Sequence, residues 1–392
     1  MKERWPEIKA LFDDVLDLAP EERGRVLDHA GVDPWVRVQV ERLLVASDGP
    51  AGLLDEPAIV GLGPLGDDPI GGAELLSSTV GPYRLVREIG RGGMGTVYEA
   101  IRVDQEFEQR VAIKTLRIGL TMPGMITQFR QERQILAALQ HPNIAALLDG
   151  GVTSNGIPYI VLEYVDGVPM DQYCEVNQLD LRARLDLFRQ VLGAVQYAHR
   201  QLVIHRDIKP GNILVTQDGQ VKLLDFGIAR LIHPDGREVT HAGTAAITPA
   251  YASPEQLRGE RASTATDVYS LALVLYRLLT GKSPLTEDLV SPAELLAALS
   301  TGPLPPPSAD PALRAATSMG VGSVDRLRRM LAGELDAVIL KALRLEPERR
   351  YLSVEALADD ILRYLKGLPV TAQPDTAWYR VSKFVRRRRG AV

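Results

Sequence analysis

Four residues in one short region have the types and spacing to move a phosphoryl group. Asp207, Lys209 and Asn212 lie in His205-Arg206-Asp207-Ile208-Lys209-Pro210-Gly211-Asn212, and Asp225 opens Asp225-Phe226-Gly227 soon after. Transfer from a nucleotide needs a carboxylate beside the acceptor hydroxyl, a cation near the moving group, and oxygen ligands for the metal that bridges the phosphates. Asp207 can hold the hydroxyl and Lys209 can neutralise the phosphoryl group. Asn212 and Asp225 can ligate magnesium.

A second constellation lies upstream. Gly90-Arg91-Gly92-Gly93-Met94-Gly95-Thr96-Val97 fits G-x-G-x-x-G-x-V, and glycines let backbone amides approach phosphates closely. Dinucleotide sites use a similar run, but theirs opens into a helix. Residues 96–100 instead read as a strand. Lys114 then closes Val111-Ala112-Ile113-Lys114, where an ammonium can reach the α- and β-phosphates as a point charge.

These groups need elements to hold them. Strand-like alternation starts at Tyr83 and recurs at residues 95–100, 110–114, near 145–148 and at 159–162. The spacing predicts a five-stranded antiparallel lobe, with a helix over roughly residues 125–140 ended by His141-Pro142-Asn143. After Val165-Asp166-Gly167 the chain reads as mainly helical to about Lys366. At the other end, Trp5, Ile8, Leu11, Phe12, Val15 and Leu16 recur at helical spacing. They predict a small helical unit over residues 1–48. Residues 49–82 are rich in Gly and Pro and read as a flexible linker.

Composition bounds the rest. The chain has 392 residues, 45% hydrophobic and 24% charged, an ordinary soluble balance with room for more than one domain. A net charge of −5 argues against a general nucleic-acid binder. Cys174 is the only cysteine, so no intramolecular disulfide can form and a reducing compartment is expected. It reads as a small core hydrophobe. The N-terminus lacks an apolar signal region, and the longest apolar run, residues 271–279, is interrupted by Arg277. The chain as given is expected to be cytoplasmic.

Taken together, the two motifs resemble those of protein kinases, and most closely the bacterial members of the eukaryotic-like (Hanks-type) Ser/Thr family. The resemblance covers about residues 83–366. It implies an α+β, bilobal protein-kinase fold: the five-stranded lobe, a helical C-lobe, and ATP between them with Mg2+, or Mn2+ in its place. Lys209, two places after the catalytic aspartate, is the family's mark of Ser/Thr specificity. In family terms Asp207, Lys209, Lys114 and Glu132 are catalytic, Glu132 being the helix-C partner of Lys114. Gly90, Gly92, Gly95, Val97 and Ala112 enclose the nucleotide, and the Glu163 carbonyl and Val165 amide meet the adenine edge, with Leu162 as gatekeeper. Asp166 or Asp171 holds the ribose, two alternatives the sequence leaves open.

Several further residues are implied as supports. His205 should stack with Phe226, Leu136 and Leu147, and Asp267 should bond the catalytic-loop backbone. Glu255, in Ser253-Pro254-Glu255 where many relatives have Ala-Pro-Glu, should pair with Arg350. Arg206 suits pairing with a phosphate on the activation segment, residues 225–255. There Thr248 is the substrate-positioning residue, and Thr240 and Thr244 are the candidate phosphosites. Two departures from the family stand out, Ala272 and Ile247, each where glycine is usual.

The partners implied are protein substrates with Ser/Thr acceptors, a second copy for trans-autophosphorylation, and no nucleic acid. Residues 367–392 form a basic tail in which Trp378, Tyr379 and Phe384 accompany Arg386 to Arg389. Such a tail suits an anionic membrane surface, as in the cytosolic portion of a membrane-anchored kinase.

Overall fold

The computed structural model describes residues 26, 36–37, 40, 79–92, 95–104, 108–116, 133–134, 136–153, 156–226, 249–285, 291–310, 313 and 318–373. The chain divides into two compact units, residues 1–74 and 75–392. In the first, the described residues Val26, Val36, Arg37 and Val40 are helical, and Val36 and Val40, one turn apart, are buried.

In the second unit an antiparallel sheet is built from β1 (Thr79–Val80), β2 (Tyr83–Gly92), β3 (Gly95–Arg102), β4 (Gln109–Leu116), β5 (Leu147–Val152) and β6 (Pro158–Glu163), with β4 and β6 buried over runs of three and four residues. The strand order is β1-β2-β3-β4-β6-β5. The five expected strands are all present, with ends shifted by a few residues. The sixth, β1, corrects the expected count and trims the expected linker. Gly81, at φ +58°, turns the chain so that Val80 pairs with Tyr83. Helical residues at 133–134 and 136–137 belong to the helix predicted over 125–140.

The C-lobe is not wholly helical. A three-stranded sheet, β7 (Gly167–Pro169), β8 (Ile213–Thr216) and β9 (Val221–Leu223), follows the last N-lobe strand. Its β8–β9 hairpin pairs Ile213 with Leu223 and therefore brings together the residues just outside it. Leu224 N donates to Asn212 O at 2.8 Å, so the stretch ending at Asn212 and the one opening at Asp225 emerge side by side.

Eight helices complete the described lobe: α1 (Met170–Val176), α2 (Leu181–Arg200), α3 (Pro254–Leu257), α4 (Thr264–Thr280), α5 (Pro292–Ser300), α6 (Val324–Leu331), α7 (Glu334–Ala342) and α8 (Val354–Leu365). Asp180 caps α2 by accepting from Ala183 N at 2.8 Å, a contact that contributes about 1 kcal/mol. Helix α4 is apolar on nearly every face because α2, α7 and α8 all pack around it. Each fully buried Leu or Val stabilises by about 1.5–3 kcal/mol relative to exposure.

Buried polar groups fasten these helices to one another. Arg184 on α2 donates to Leu179 O, Leu278 O and Ser318 Oγ at 2.7–2.9 Å, joining α2 to the end of α4. Asp360 on α8 accepts from Tyr351 Oη, Thr371 N, Thr371 Oγ1 and Ala372 N at 2.7–2.9 Å, which folds the chain after α8 back onto the helix. Burial and that carboxylate push the Tyr351 hydroxyl well above its ordinary pKa.

Candidate active site

A cleft of about 690 Å³ opens between the six-stranded sheet and the β7–β9 sheet. Gly90, Gly95, Val97, Ala112, Lys114, Glu163, Val165, Asp207, Lys209, Asn212 and Asp225 all line it. A larger groove of about 840 Å³, between α2, α6 and α8, contains none of the motif residues.

On the sheet side the backbone does the positioning. Gly92 pairs with Gly95 at the tip of the β2–β3 hairpin. Gly95 has φ +147°, and a Cβ there would stand 1.7 Å from Thr115 O on β4, so only glycine lets β3 and β4 approach at that point. The β3–β4 register sets Val97 beside Lys114, and the β4–β6 register sets Ala112 beside Leu162. Lys114 Nζ thereby reaches Asp225 Oδ2 at 2.7 Å, an ion pair across the cleft.

At the connection between lobes the side chain of Glu163 has a task the sequence did not suggest. Oε1 takes Lys222 Nζ of β9 at 2.6 Å, and Oε2 accepts from Ala146 N at 3.1 Å. Glu163 also lines the cleft. Tyr164 is gripped from the N-lobe: Arg110 lies 4.1 Å over its ring and Arg87 donates to its hydroxyl at 3.3 Å. Glu99 holds both arginines, at 2.9 and 2.7 Å. Of the two ribose candidates, Asp171 pairs with Arg277 at 2.9 Å, and Asp166 is exposed, 3.9 Å from Arg110.

On the other wall, side chains fix the catalytic loop. Asn212 Nδ2 donates to Asp207 O at 2.8 Å and to Asp207 Oδ2 at 3.0 Å, so its Oδ1 is the oxygen left to meet a metal. Lys209 Nζ lies 3.0 Å from Asp207 Oδ2. Asp267, fully buried on α4, accepts from His205 N at 2.8 Å, Arg206 N at 2.9 Å and His199 Nε2 at 2.7 Å. Arg206 (φ +66°) and Asp225 (φ +51°) both occupy left-handed backbone, where a side chain persists only if its surroundings over-determine it.

His205 is a support in this geometry. Its ring lies 4.6 Å from that of Phe226, Nε2 meets Leu224 O at 2.8 Å, and Nδ1 accepts from Asp207 N at 3.3 Å. Burial pushes its pKa down, so the ring stays neutral and serves as acceptor and donor together. Phe226, Leu136 and Leu147 line one small cavity behind the cleft.

Glu255 and Arg350 form a bidentate pair at 2.7 and 2.7 Å. Burial alone would raise the Glu255 pKa; the Arg350 guanidinium and the Thr266 hydroxyl outweigh it and hold the carboxyl below its usual range. Arg350 also donates to Arg344 O, Ala265 O and Leu345 O. Gln256, absent from the sequence reading, is buried and donates to Arg206 O at 2.8 Å.

Glu132, Thr240, Thr244, Thr248 and Ile247 lie outside the described residues. Ala272 is buried within α4. Cys174 is buried too, and burial pushes its thiol to about 11, as befits a core hydrophobe.

A glycine-tipped hairpin above a lysine–aspartate pair, facing an asparagine-braced aspartate across a two-lobed cleft, defines a nucleotide-binding phosphotransferase fold. The family model for the protein kinase domain matches residues 83–360, and the chain belongs to that family. Bacterial kinases are among its relatives. It is 38% identical over 298 residues to a probable serine/threonine-protein kinase, SCO3848, of Streptomyces coelicolor, covering 74% of this chain and 41% of that protein. It is 36% identical over 296 residues to serine/threonine-protein kinase PknB of Mycobacterium tuberculosis, covering 74% and 44%. The chain thus spans less than half the length of these curated relatives. A crystal structure of the Mycobacterium tuberculosis PknI kinase domain superposes with TM-score 0.52 at 27% identity, covering 73% of this chain and 98% of that one. Protein kinases generally use ATP and Mg2+. Among the described residues, no helix is long and apolar enough to cross a membrane.

Proposed function

We propose that this chain transfers the γ-phosphoryl group of ATP to Ser/Thr hydroxyls of proteins, through a kinase domain of residues 83–366. One observation carries the reading: Asp207, Lys209, Asn212, Asp225 and Lys114 converge on a single cleft, each within 3.0 Å of another member. The donor set suits the cofactor, since Mg2+ is held by one or two protein oxygens together with substrate phosphates. Asn212 Oδ1 and the Asp225 carboxylate supply those oxygens, and the bound ion neutralises charge on the phosphates.

Asp207 orients the acceptor hydroxyl and takes its proton late. Lys209 faces the transferring group and balances its charge. Lys114 anchors the α- and β-phosphates, with Glu132 as its second partner. The main chain of Glu163 and Val165 binds the adenine edge. Thr248 positions the substrate, and Thr240 and Thr244 receive phosphate in trans from a second copy, for which Arg206 supplies the guanidinium. Residues 367–392 dock on an anionic membrane surface.

Intact-mass and phosphosite mapping tests the reading. Dephosphorylated wild type and Asp207→Asn are incubated with magnesium-ATP. Added phosphate in wild type alone, at Thr240 or Thr244, supports it. No added phosphate in wild type, with nucleotide still bound, would replace it with a scaffold that binds a partner without transferring phosphate, or with an enzyme that needs a separate activator.

A further inference from the structure

We infer that Gln256 is a positioning residue for the catalytic base, coupling the end of the activation segment to the peptide that carries Asp207. The inference rests on the reading of Asp207 as the group that receives the acceptor hydroxyl. Asp207 hangs from the Arg206–Asp207 peptide, and Arg206 sits at φ +66°. A peptide next to such a residue keeps its orientation only through outside contacts.

Both ends of this peptide are held. Its N–H, that of Asp207, donates to His205 Nδ1 at 3.3 Å; its carbonyl, that of Arg206, accepts from Gln256 Nε2 at 2.8 Å. The preceding N–H, that of Arg206, is held by Asp267 Oδ1 at 2.9 Å. Gln256 provides the short bond, and it comes from outside the catalytic loop.

The orientation of the Gln256 amide is fixed independently. Oε1 accepts from Ser253 N at 3.1 Å, so only Nε2 can face Arg206 O. The side chain is 1% exposed, so water does not take over a lost contact there. Its helix, α3, cannot drift, because the adjacent Glu255 is bound bidentately by Arg350. Helix α3 begins where residues 225–255 end. Ordering of that segment and the aim of Asp207 therefore meet in one amide. A base displaced by about 1 Å can lose on the order of 10²-fold in rate.

Gln256→Glu isolates the donor. It keeps the oxygen that Ser253 N needs and puts a carboxylate oxygen against Arg206 O. Protonation restores a donor, and a buried carboxyl facing a carbonyl titrates well above its usual range. The 392-residue chain is assayed with magnesium-ATP and dephosphorylated casein from pH 6 to pH 9. The kcat of Gln256→Glu, relative to wild type, is expected to fall about tenfold or more as pH rises, with KM for ATP within about twofold. A ratio that stays flat with pH, at whatever level, would overturn the inference. Gln256→Met, which lacks the donor at every pH, covers the case in which the charged variant does not fold. Its kcat should drop about 10- to 100-fold with KM for ATP unchanged, and a kcat within twofold of wild type would overturn the inference equally. Failure of the underlying reading has a separate signature: Asp207→Asn would then be as active as wild type.

Discussion

Lys114 is placed by a ladder of main-chain bonds, because β4 lies between β3 and β6 and every register partner in it is a strand residue. Asp207 is placed by side chains: Asp267, His205, Gln256 and Asn212 each grip a peptide or an oxygen of its loop. The first arrangement tolerates many side chains as long as the backbone pairs. The second depends on a few buried polar groups, none of which can be removed without orphaning another. The two walls of the cleft should therefore fail differently when altered.

The sharpest break is on the catalytic wall. Asp207→Asn keeps the shape and the bond from Asn212 but removes the proton acceptor, and kcat should fall about 10²- to 10⁴-fold. Nucleotide titration should give an unchanged affinity, since the sheet side is intact. Glu255→Gln comes next and is a stability effect. It leaves the Arg350 guanidinium buried without its counter-charge and should cost about 3–5 kcal/mol in denaturant unfolding. Because the folded pKa of Glu255 lies below its ordinary 4.5, its contribution is present above that value and lost as pH falls through the folded pKa. The gap between wild type and variant should accordingly narrow in acid.

The sheet wall should respond to backbone changes. Gly95→Ala drives a Cβ into Thr115 O and forces β3 away from β4. A cost of about 1–3 kcal/mol and a KM for ATP raised about tenfold are expected, with kcat less affected. Smallest is Lys222→Met, which releases Glu163 from β9. This pair is partly exposed, so thermal unfolding should register no more than about 1 kcal/mol. The change expected is in nucleotide affinity, by a few-fold, because the released residue carries the backbone proposed to meet the adenine.

The same division explains what could be read from the sequence. His205 to Asn212, Asp225 and Lys114 were legible because their chemistry demands particular residue types at fixed spacing. The strands of the sheet were legible from alternation. β1 was not, since two residues have no period; β7 and β9 were too short, at three residues each, and β7 too far from β8 in sequence, to suggest pairing. Gln256 and Lys222 belong to no motif. Their importance comes from contacts 50 and 59 residues away in the chain (Arg206 and Glu163), which only folding creates. The pairing of Asp171 with Arg277, 106 residues further along the chain, is likewise a contact that no local pattern encodes.

Asp360 has a mechanical consequence. It gathers Tyr351, Thr371 and Ala372 on one carboxylate, so residues 371–372 are tied to the middle of α8 instead of trailing from its end. Tension applied through the residues that follow meets this knot before it reaches the helix. A pull on the residues that follow would thus reach α8 first at Asp360, in its middle, and not at its C-terminal end.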